Sequence, residues 1–525
     1  MSVYLSSKGG IMRNYIGLTV GPIIEVLQSA KKTRELWTGS YLFSFLMKIM
    51  VRNLMEKGYD FLSPVVDDKS IGQKHGVGLF HDRFIAMSEL SQECIESDVN
   101  GAIDEAKEEL TLVIVKIEPA QPERKKEVRA FLDQFLQISY IITLLSDECN
   151  IFIETNKFLD NAELQRSFID SPASYENFTV SYKDKKPESV NPIAYLQART
   201  NQSAFIRDAF GDKHGKGFPS LAEISGKDLN IVCNNDDEDK DPFPKGCKLK
   251  YKYAALIQAD GDNIGTLVKA VGKDPEKAKE FSKKLFDFAA QVPKIAQKYG
   301  AQAVYAGGDD ILSFAPVVYD GYTVFDYLDD LNNCFKAAFG NQAENISLSF
   351  GVAAIYHKYP LYEALEQARN NLFGSTQSAK NFTLRRQKPK NAIVFELSKH
   401  SGQCMRNIFL QSDSKVYEPF KALLKSELDE KTTIPHSLHH NLKRSEKVIA
   451  VLSEKSDFHQ RLEQFFKNNF NEPEHEKNQV KEGLELARKL LAGYFDFYIG
   501  EKKSDKIFAE FFSALAIIKH LRGDR

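Results

Sequence analysis

Tyr251-Lys252-Tyr253-Ala254-Ala255-Leu256-Ile257-Gln258-Ala259-Asp260-Gly261-Asp262 and, forty residues on, Ala301-Gln302-Ala303-Val304-Tyr305-Ala306-Gly307-Gly308-Asp309-Asp310-Ile311-Leu312-Ser313-Phe314-Ala315 decide the fold. Residues 251 to 258 predict an apolar strand that ends on two carboxylates. Between the stretches a helix is expected over 275–298, with Phe281, Leu285, Phe288, Val292 and Ile295 at three- and four-residue steps along one buried face. Residues 301–305 and 311–315 read as a hairpin around Gly307-Gly308-Asp309-Asp310. A helix over 322–338, a strand over 346–355, a helix over 361–373 and a strand over 392–396 complete βαββαβ, the order of a ferredoxin-like sheet backed by helices. Nucleic-acid polymerase palms and nucleotide cyclases share this plan.

The acidic residues give this unit its chemistry. Phosphoryl transfer needs charge neutralisation and in-line geometry, which two divalent ions about 3.5–4 Å apart supply. Mg²⁺ takes hard oxygen ligands, and Mn²⁺ accepts the same kind. In a βαββ unit the first strand and the hairpin are sheet neighbours, so Asp260 converges with Asp309 and Asp310. These three are the expected catalytic residues and, with Asp262, the expected metal ligands. Gly261, Gly307 and Gly308 are expected beside phosphate, because glycine tolerates positive φ and leaves room for close approach. Lys380, ahead of the last strand, is placed to reach a triphosphate. The cations Arg385, Arg386, Lys388 and Lys390 form a local basic patch, for which a solvated loop is the simpler reading.

An internal echo extends the reading. With Gly21 placed over Gly261, Thr19-Val20-Gly21-Pro22 lies over Ala259-Asp260-Gly261-Asp262. Both follow an apolar strand and precede a helix, and the first copy lacks the two carboxylates. The chain is therefore expected to be α+β, with two ferredoxin-like palm domains, helical insertions and a C-terminal helical bundle. Residues 1–95 begin a degenerate first palm, 96–225 carry a helical insertion and its remainder, 226–250 are a linker or insertion, 251–400 are the second palm, and 401–525 are helical. The acidic run over 234–239 reads as a solvated loop.

Composition narrows the class. With 525 residues, 42% hydrophobic and 37 of them Phe, the chain builds sizeable cores and is not a disordered protein. A net charge of -2 gives no global warrant for nucleic-acid or membrane binding, so any such surface must be local. Six scattered cysteines without a CxxC pair fit reduced thiols. No apolar run reaches the ~18–20 residues that span a bilayer. A cytoplasmic protein without membrane contact is expected.

Several ordered motifs resemble the large, polymerase/cyclase-like subunit of type III-B, Cmr-type CRISPR effector complexes. Residues 15–22 and Lys31-Lys32-Thr33-Arg34-Glu35-Leu36-Trp37-Thr38-Gly39-Ser40-Tyr41-Leu42 look like its first palm. Asp82-Arg83-Phe84, Phe218-Pro219-Ser220 and Ala222-Glu223-Ile224 match further signatures, and Asp260–Gly265, Gly307–Asp310, Ser349-Phe350-Gly351 and Pro360-Leu361 match the second palm. The resemblance implies a subunit working with other Cmr-type subunits, CRISPR RNA and target RNA. It implies that target RNA activates conversion of ATP, or of ATP with a second substrate such as S-adenosylmethionine, into a messenger such as cyclic oligoadenylate. Gly39 and Ser40, at a helix start, are expected to contact the second nucleotide. Many relatives begin with a histidine-aspartate nuclease domain, for which the residues before 15 leave no room; His81-Asp82 is an isolated doublet to which no metal is assigned. Zinc is not expected, since Cys233 and Cys247 would need help from a residue such as His214. The competing readings are a silent structural subunit and a stand-alone diguanylate cyclase.

Overall fold

In the computed structural model, all residues are described except 1, 5–11, 118–121, 165–177, 181–187, 212–216, 234–240, 341–345, 385–386, 472, 474, 476, 499–503 and 524–525. The acidic run over 234–239, His214, Arg385 and Arg386 therefore lie outside the described residues.

The strands are β1 (Ser2–Tyr4), β2 (Met12–Gly21), β3 (Asp60–Ser63), β4 (Arg83–Ser88) and β5 (Gln137–Ser146), then a two-stranded ribbon of β6 (Thr179–Val180) and β7 (Glu188–Ser189). The second half adds β8 (Tyr253–Asp262), β9 (Gln302–Gly307), β10 (Asp310–Pro316), a small ribbon of β11 (Val318–Tyr319) and β12 (Tyr322–Thr323), then β13 (Ser347–Tyr356), β14 (Ala392–Ser398) and β15 (Cys404–Leu410). The first large sheet has the order β1-β5-β2-β4-β3, and the second β15-β14-β13-β8-β10-β9. The chain is thus α+β, and both halves place a long strand centrally with an antiparallel neighbour on each side.

The long helices form where the apolar period says they should. Pro275–Lys298 starts on Asp274, whose carboxylate accepts from the amides of Glu276 and Lys277. This satisfies two of the donors a helix start leaves open. Its apolar face is buried through Phe281, Phe288 and Val292, with Phe281 against Phe152 and Phe339 and Phe288 against Phe335. In the first half, helix Thr33–Glu56 buries most of its length, including Trp37, the only tryptophan of the chain, whose indole Nε1 donates to Gly76 O at 3.1 Å.

Besides the strands of two or three residues, three longer ones lie outside what periodicity predicts. β5 sits within a region expected to be helical, between helices Pro122–Phe135 and Ile151–Leu164, and pairs with β2 from Met12↔Ser146 to Gly21↔Gln137. β4 pairs with the other edge of β2. β15 pairs with β14 from Ala392↔Leu410 to Ser398↔Cys404, so the second sheet ends at Leu410, not at the boundary of 400 read from the sequence. Its alternation is masked because Ile408, Phe409 and Leu410 are all buried, Phe409 against both Phe325 and the rings of Tyr417 and Phe420.

That bundle packs directly on the second sheet. Phe325, fully buried, lies against the rings of Phe395 on β14, Phe409 on β15, and Tyr417 and Phe420 of helix Tyr417–Leu428. Phe325→Ala is expected to cost about 3–5 kcal/mol, because the cavity opens where sheet and bundle meet. Urea unfolding followed by circular dichroism measures it, and a change below about 1 kcal/mol would show that the bundle does not depend on this contact.

Candidate active site at the palm junction

The turn at 307–310 is a two-residue hairpin. Asp310 pairs with Gly307, and Gly308 occupies the first central position with φ of 65°, a conformation only glycine adopts cheaply. β10 then pairs with β8 through Ile311↔Ala259, which sets the hairpin tip beside Asp260. Gly261 is required for this approach: a Cβ there would lie 2.5 Å from Asp309 Oδ2. The structure thus brings Asp260, Asp309, Asp310 and the three glycines together.

The electrostatics reflect the crowding. Enclosure, followed by the charge of Asp260, lifts Asp309 to about 6. Asp310 is raised well above the ordinary carboxylate range, first by enclosure in the cleft and then by Asp309, Asp260 and Asp82. Carboxylates this close resist joint ionisation unless a cation joins them.

Lys380 is the cation the chain itself supplies. It follows helix Leu361–Phe373, held by a bond from its amide to Leu372 O at 3.0 Å. Its Nζ pairs with Asp260 Oδ2 and donates to Asp260 O and Gly261 O at 2.9 Å and to Asp262 Oδ1 at 2.8 Å. The lysine expected to reach a triphosphate is therefore clamped on the end of β8, where four acceptors surround an ammonium with three protons to give.

Asp262, expected as a metal ligand, is committed to the fold instead. It is fully buried, and its Oδ2 accepts from Ser347 Oγ at 2.7 Å, Ser349 Oγ at 2.8 Å and Asn391 N at 2.9 Å, while Oδ1 takes Lys380. Both oxygens are thus engaged inside the protein. Gly39 and Ser40 also depart from expectation. The helix begins at Thr33, so both lie in its second turn and are buried; a Cβ on Gly39 would fall 2.9 Å from Gln197 Nε2 and 3.0 Å from Val26. They serve helix packing, not a helix N-terminus.

Among the described residues, no group of three His, Cys, Asp or Glu side chains is arranged to hold a metal ion by itself. The acid cluster still suits Mg²⁺ chemistry, which relies on one or two carboxylates completed by substrate phosphates and water. Asp309 and Asp310 are the two without a clamping cation.

The first palm supplies residues that sequence reading set aside. Thr19 pairs with Arg83 as Ala259 pairs with Ile311, so His81 and Asp82 stand at the register positions of Asp309 and Asp310. They also meet them in space. A Cβ on Gly308 would lie 2.5 Å from His81 Cε1, and Asp82 is among the charges that raise Asp310. Enclosure pushes His81 down to about 4, so the ring is a neutral imidazole at pH 7. Gly78 forms a parallel bridge with Tyr305 and accepts from Ala306 N at 3.2 Å, which fixes segment 76–82 against β9. The signal was available: the echo that pairs Gly21 with Gly261 also pairs the start of β4 with the start of β10.

The comparisons with known proteins agree with this architecture. The family model described as Cas10/Cmr2, second palm domain, matches residues 253–389, and that of CRISPR-associated protein Cmr2, N-terminal, matches residues 15–112. A curated relative, CRISPR system Cmr subunit Cmr2 of Pyrococcus furiosus, is 27% identical over 181 residues; the match spans 29% of this chain and 19% of the relative. Among solved structures, the apo type III-B Cmr-beta assembly contains a chain with a TM-score of 0.57 and 13% identity, over 92% of this chain and 82% of that one. In Cmr-beta bound to cognate target RNA the values are 0.57 and 13%, over 97% and 83%. At such identities the likeness is one of fold.

Two outcomes are expected. Lys380→Met leaves Asp262 buried without its cation and should cost about 3–5 kcal/mol, seen as a lowered urea midpoint; an unchanged midpoint would show that the serines and Asn391 suffice. The raised carboxylate of Asp309 gives the sign of a pH effect. Its protonated form is favoured in the fold, so its contribution is full below about pH 4 and is lost as pH rises through about 6. Asp309→Asn should therefore raise the melting temperature of the metal-free chain at pH 7.5 by about 2–4 °C and change nothing at pH 4. A lowered melting temperature at pH 7.5 would contradict the repulsion.

Proposed function

We propose that this chain, a member of the Cas10/Cmr2 family, is the nucleotidyltransferase subunit of a type III-B CRISPR effector complex. In this reading it works with other Cmr-type subunits, CRISPR RNA and target RNA, and turns ATP into a nucleotide second messenger. The observation that carries the proposal is the convergence of Asp260, Asp309 and Asp310 at the mouth of the palm junction, opposite His81 and Asp82.

Each group has a part in that reaction. Asp309 and Asp310, with Asp260, would hold Mg²⁺ or Mn²⁺, which neutralises the transferring phosphate and lowers the barrier to in-line attack. Gly307, Gly308 and Gly261 leave the backbone open, so phosphate oxygens reach amides without meeting a side chain. Lys380 acts through β8: by holding the carbonyls of residues 260 and 261 and the Asp262 carboxylate, it fixes where Asp260 points. A hydroxyl of a second substrate bound on the first-palm side, ATP or a co-substrate such as S-adenosylmethionine, would attack the α-phosphorus of ATP as the bond to the β-phosphate breaks and pyrophosphate leaves. His81, neutral and set against the Gly308 turn, stands on that side of the junction.

A structural subunit is the second reading, and one observation favours it. Lys380 neutralises Asp260 and Asp262 without any metal, as a scaffold would need. A GTP-specific symmetric cyclase is disfavoured, because its two palms would carry equal carboxylates, whereas here Val20 and Pro22 stand opposite Asp260 and Asp262.

The test is product analysis by mass spectrometry on the assembled complex with CRISPR RNA, target RNA, Mn²⁺ or Mg²⁺ and ATP, with and without S-adenosylmethionine. The expected result is an adenylate-containing product that falls by at least about 10³-fold in Asp309→Ala/Asp310→Ala. Synthesis undiminished in that variant removes the site assignment, and ATP binding without any product supports the scaffold. His81→Ala is expected to lower turnover about 10–100-fold while leaving the melting temperature within about 2 °C; unaltered kinetics would assign His81 to packing alone.

A further inference from the structure

A second polar cleft of about 500 Å³ lies away from the acid cluster, between the two halves of the chain. One wall is residues 31–34 of the first half, a second is the segment around Phe218–Ala222, and the third is the turn 357–361 of the second palm. β13 runs from Ser347, opposite Asp262, to Tyr356, opposite Tyr253. Nine strand steps at ~3.3 Å put the turn roughly 30 Å from the acid end of the sheet.

We propose that this cleft binds adjacent phosphate groups of a nucleotide ligand, either an RNA strand or a nucleoside triphosphate. Four cations line it: Lys31, Lys32, Arg34 and Lys358. Two long helices begin on its walls: Leu361–Phe373 has no side-chain cap bond at its start, whereas at the start of Thr33–Glu56 the Glu35 carboxylate accepts from the amides of Lys31 and Lys32 at 2.7 and 3.2 Å. Helix starts present backbone amides and the positive end of the dipole to an anion. Tyr359 and Pro360 add a half-buried ring and an apolar edge beside the cations, a surface on which a base can rest.

The independent observation is His357. Its side chain is 2% exposed, it lines the cleft, and its Nε2 has no hydrogen-bond partner. The nearest acid, Asp241 Oδ1, is 3.6 Å away, and Asp241 is already engaged by Lys252 Nζ at 2.9 Å and Phe243 N at 3.1 Å. A buried ring nitrogen without a partner costs free energy that a ligand atom in the cleft would recover. The one carboxylate lining the cleft, Glu223, is no competitor for the cations: its Oε2 accepts from Ser220 N and Oγ at 2.9 and 3.0 Å, and its Oε1 from Cys233 N at 3.3 Å. The four cations do have partners within the chain, so binding here is an exchange of partners.

The proposal stands apart from catalysis, and its test is built on the Asp309→Asn/Asp310→Asn background so that the acid site contributes no metal-dependent binding. Fluorescence anisotropy of the full chain with a labelled ten-nucleotide single-stranded RNA, competed by unlabelled ATP, is measured from 50 to 300 mM salt. Lys32→Glu/Arg34→Glu/Lys358→Glu is expected to weaken binding by more than about tenfold and to flatten the slope of log affinity against log salt by about 2, three phosphate contacts at ~0.7 each. His357→Gln should weaken it several-fold without lowering the melting temperature. Competition by ATP at equal affinity identifies a free nucleotide as ligand, and its absence identifies the strand. The proposal is overturned if the triple variant keeps its affinity and slope. It is overturned equally if Lys388→Glu/Lys390→Glu, in the separate basic patch, weakens binding as much, since the attraction would then be nonspecific.

Discussion

A carboxylate with no solvent access must find its charge matched inside the fold, and Asp262 does so at the point where everything else in the second palm is anchored. Its two oxygens gather hydroxyls from both serines of β13, the amide that opens β14, and the ammonium of Lys380. Three strands and the segment after helix Leu361–Phe373 thus end on one anion. A mismatch there would expose a desolvated charge, the costliest error a core can contain. The position of Asp260 follows from this, because the same ammonium grips its carbonyl and its side chain. Asp309 and Asp310 are left, among the described residues, as the acids of this cluster with no cation paired to them, and the charge of Lys380 offsets the crowding at Asp309 only in part.

The two halves of the chain are alike in register and unlike in chemistry. Each presents a central strand and a neighbouring strand whose start carries polar residues: Asp309-Asp310 on one side, His81-Asp82 on the other. The palms do not merely resemble each other; segment 76–82 lies along β9 and bonds to it. Asymmetry is therefore built into one continuous site, where one half concentrates negative charge and the other contributes a neutral ring and a single acid.

Much of this was legible in the sequence, for identifiable reasons. Helix Pro275–Lys298 and the hairpin at Gly307–Asp310 were readable because local pattern determines them: a 3.6-residue apolar period and a pair of glycines at a tight turn. Asp260 was readable because strand neighbours follow from βαββ order. What escaped depended on distant partners. β5 is ten residues made into a strand by pairing with β2 and β1, both more than a hundred residues away, and β15 is buried on both sides, which erases the alternation that marks a strand. Asp262 was taken for a ligand because an Asp-Gly-Asp stretch says nothing of Ser347, Ser349 and Asn391, 85 or more residues away. Gly39 and Ser40 were misplaced because the helix starts at Thr33, six residues before Gly39. His81-Asp82 was set aside as an isolated doublet because a two-residue motif gains meaning only once registers in both sheets are laid over each other.

Trp37 adds a consequence of another kind. Its indole is the single one in the chain, and it donates to Gly76, the residue at which the segment touching β9 begins. An indole's emission responds to hydrogen bonding and to water, so the chain carries a built-in optical probe whose only chromophore of its type sits on the strap between the halves. Any event that tightens or loosens that strap would be visible in the unlabelled protein as a change in colour of its fluorescence, with no second tryptophan to blur the reading.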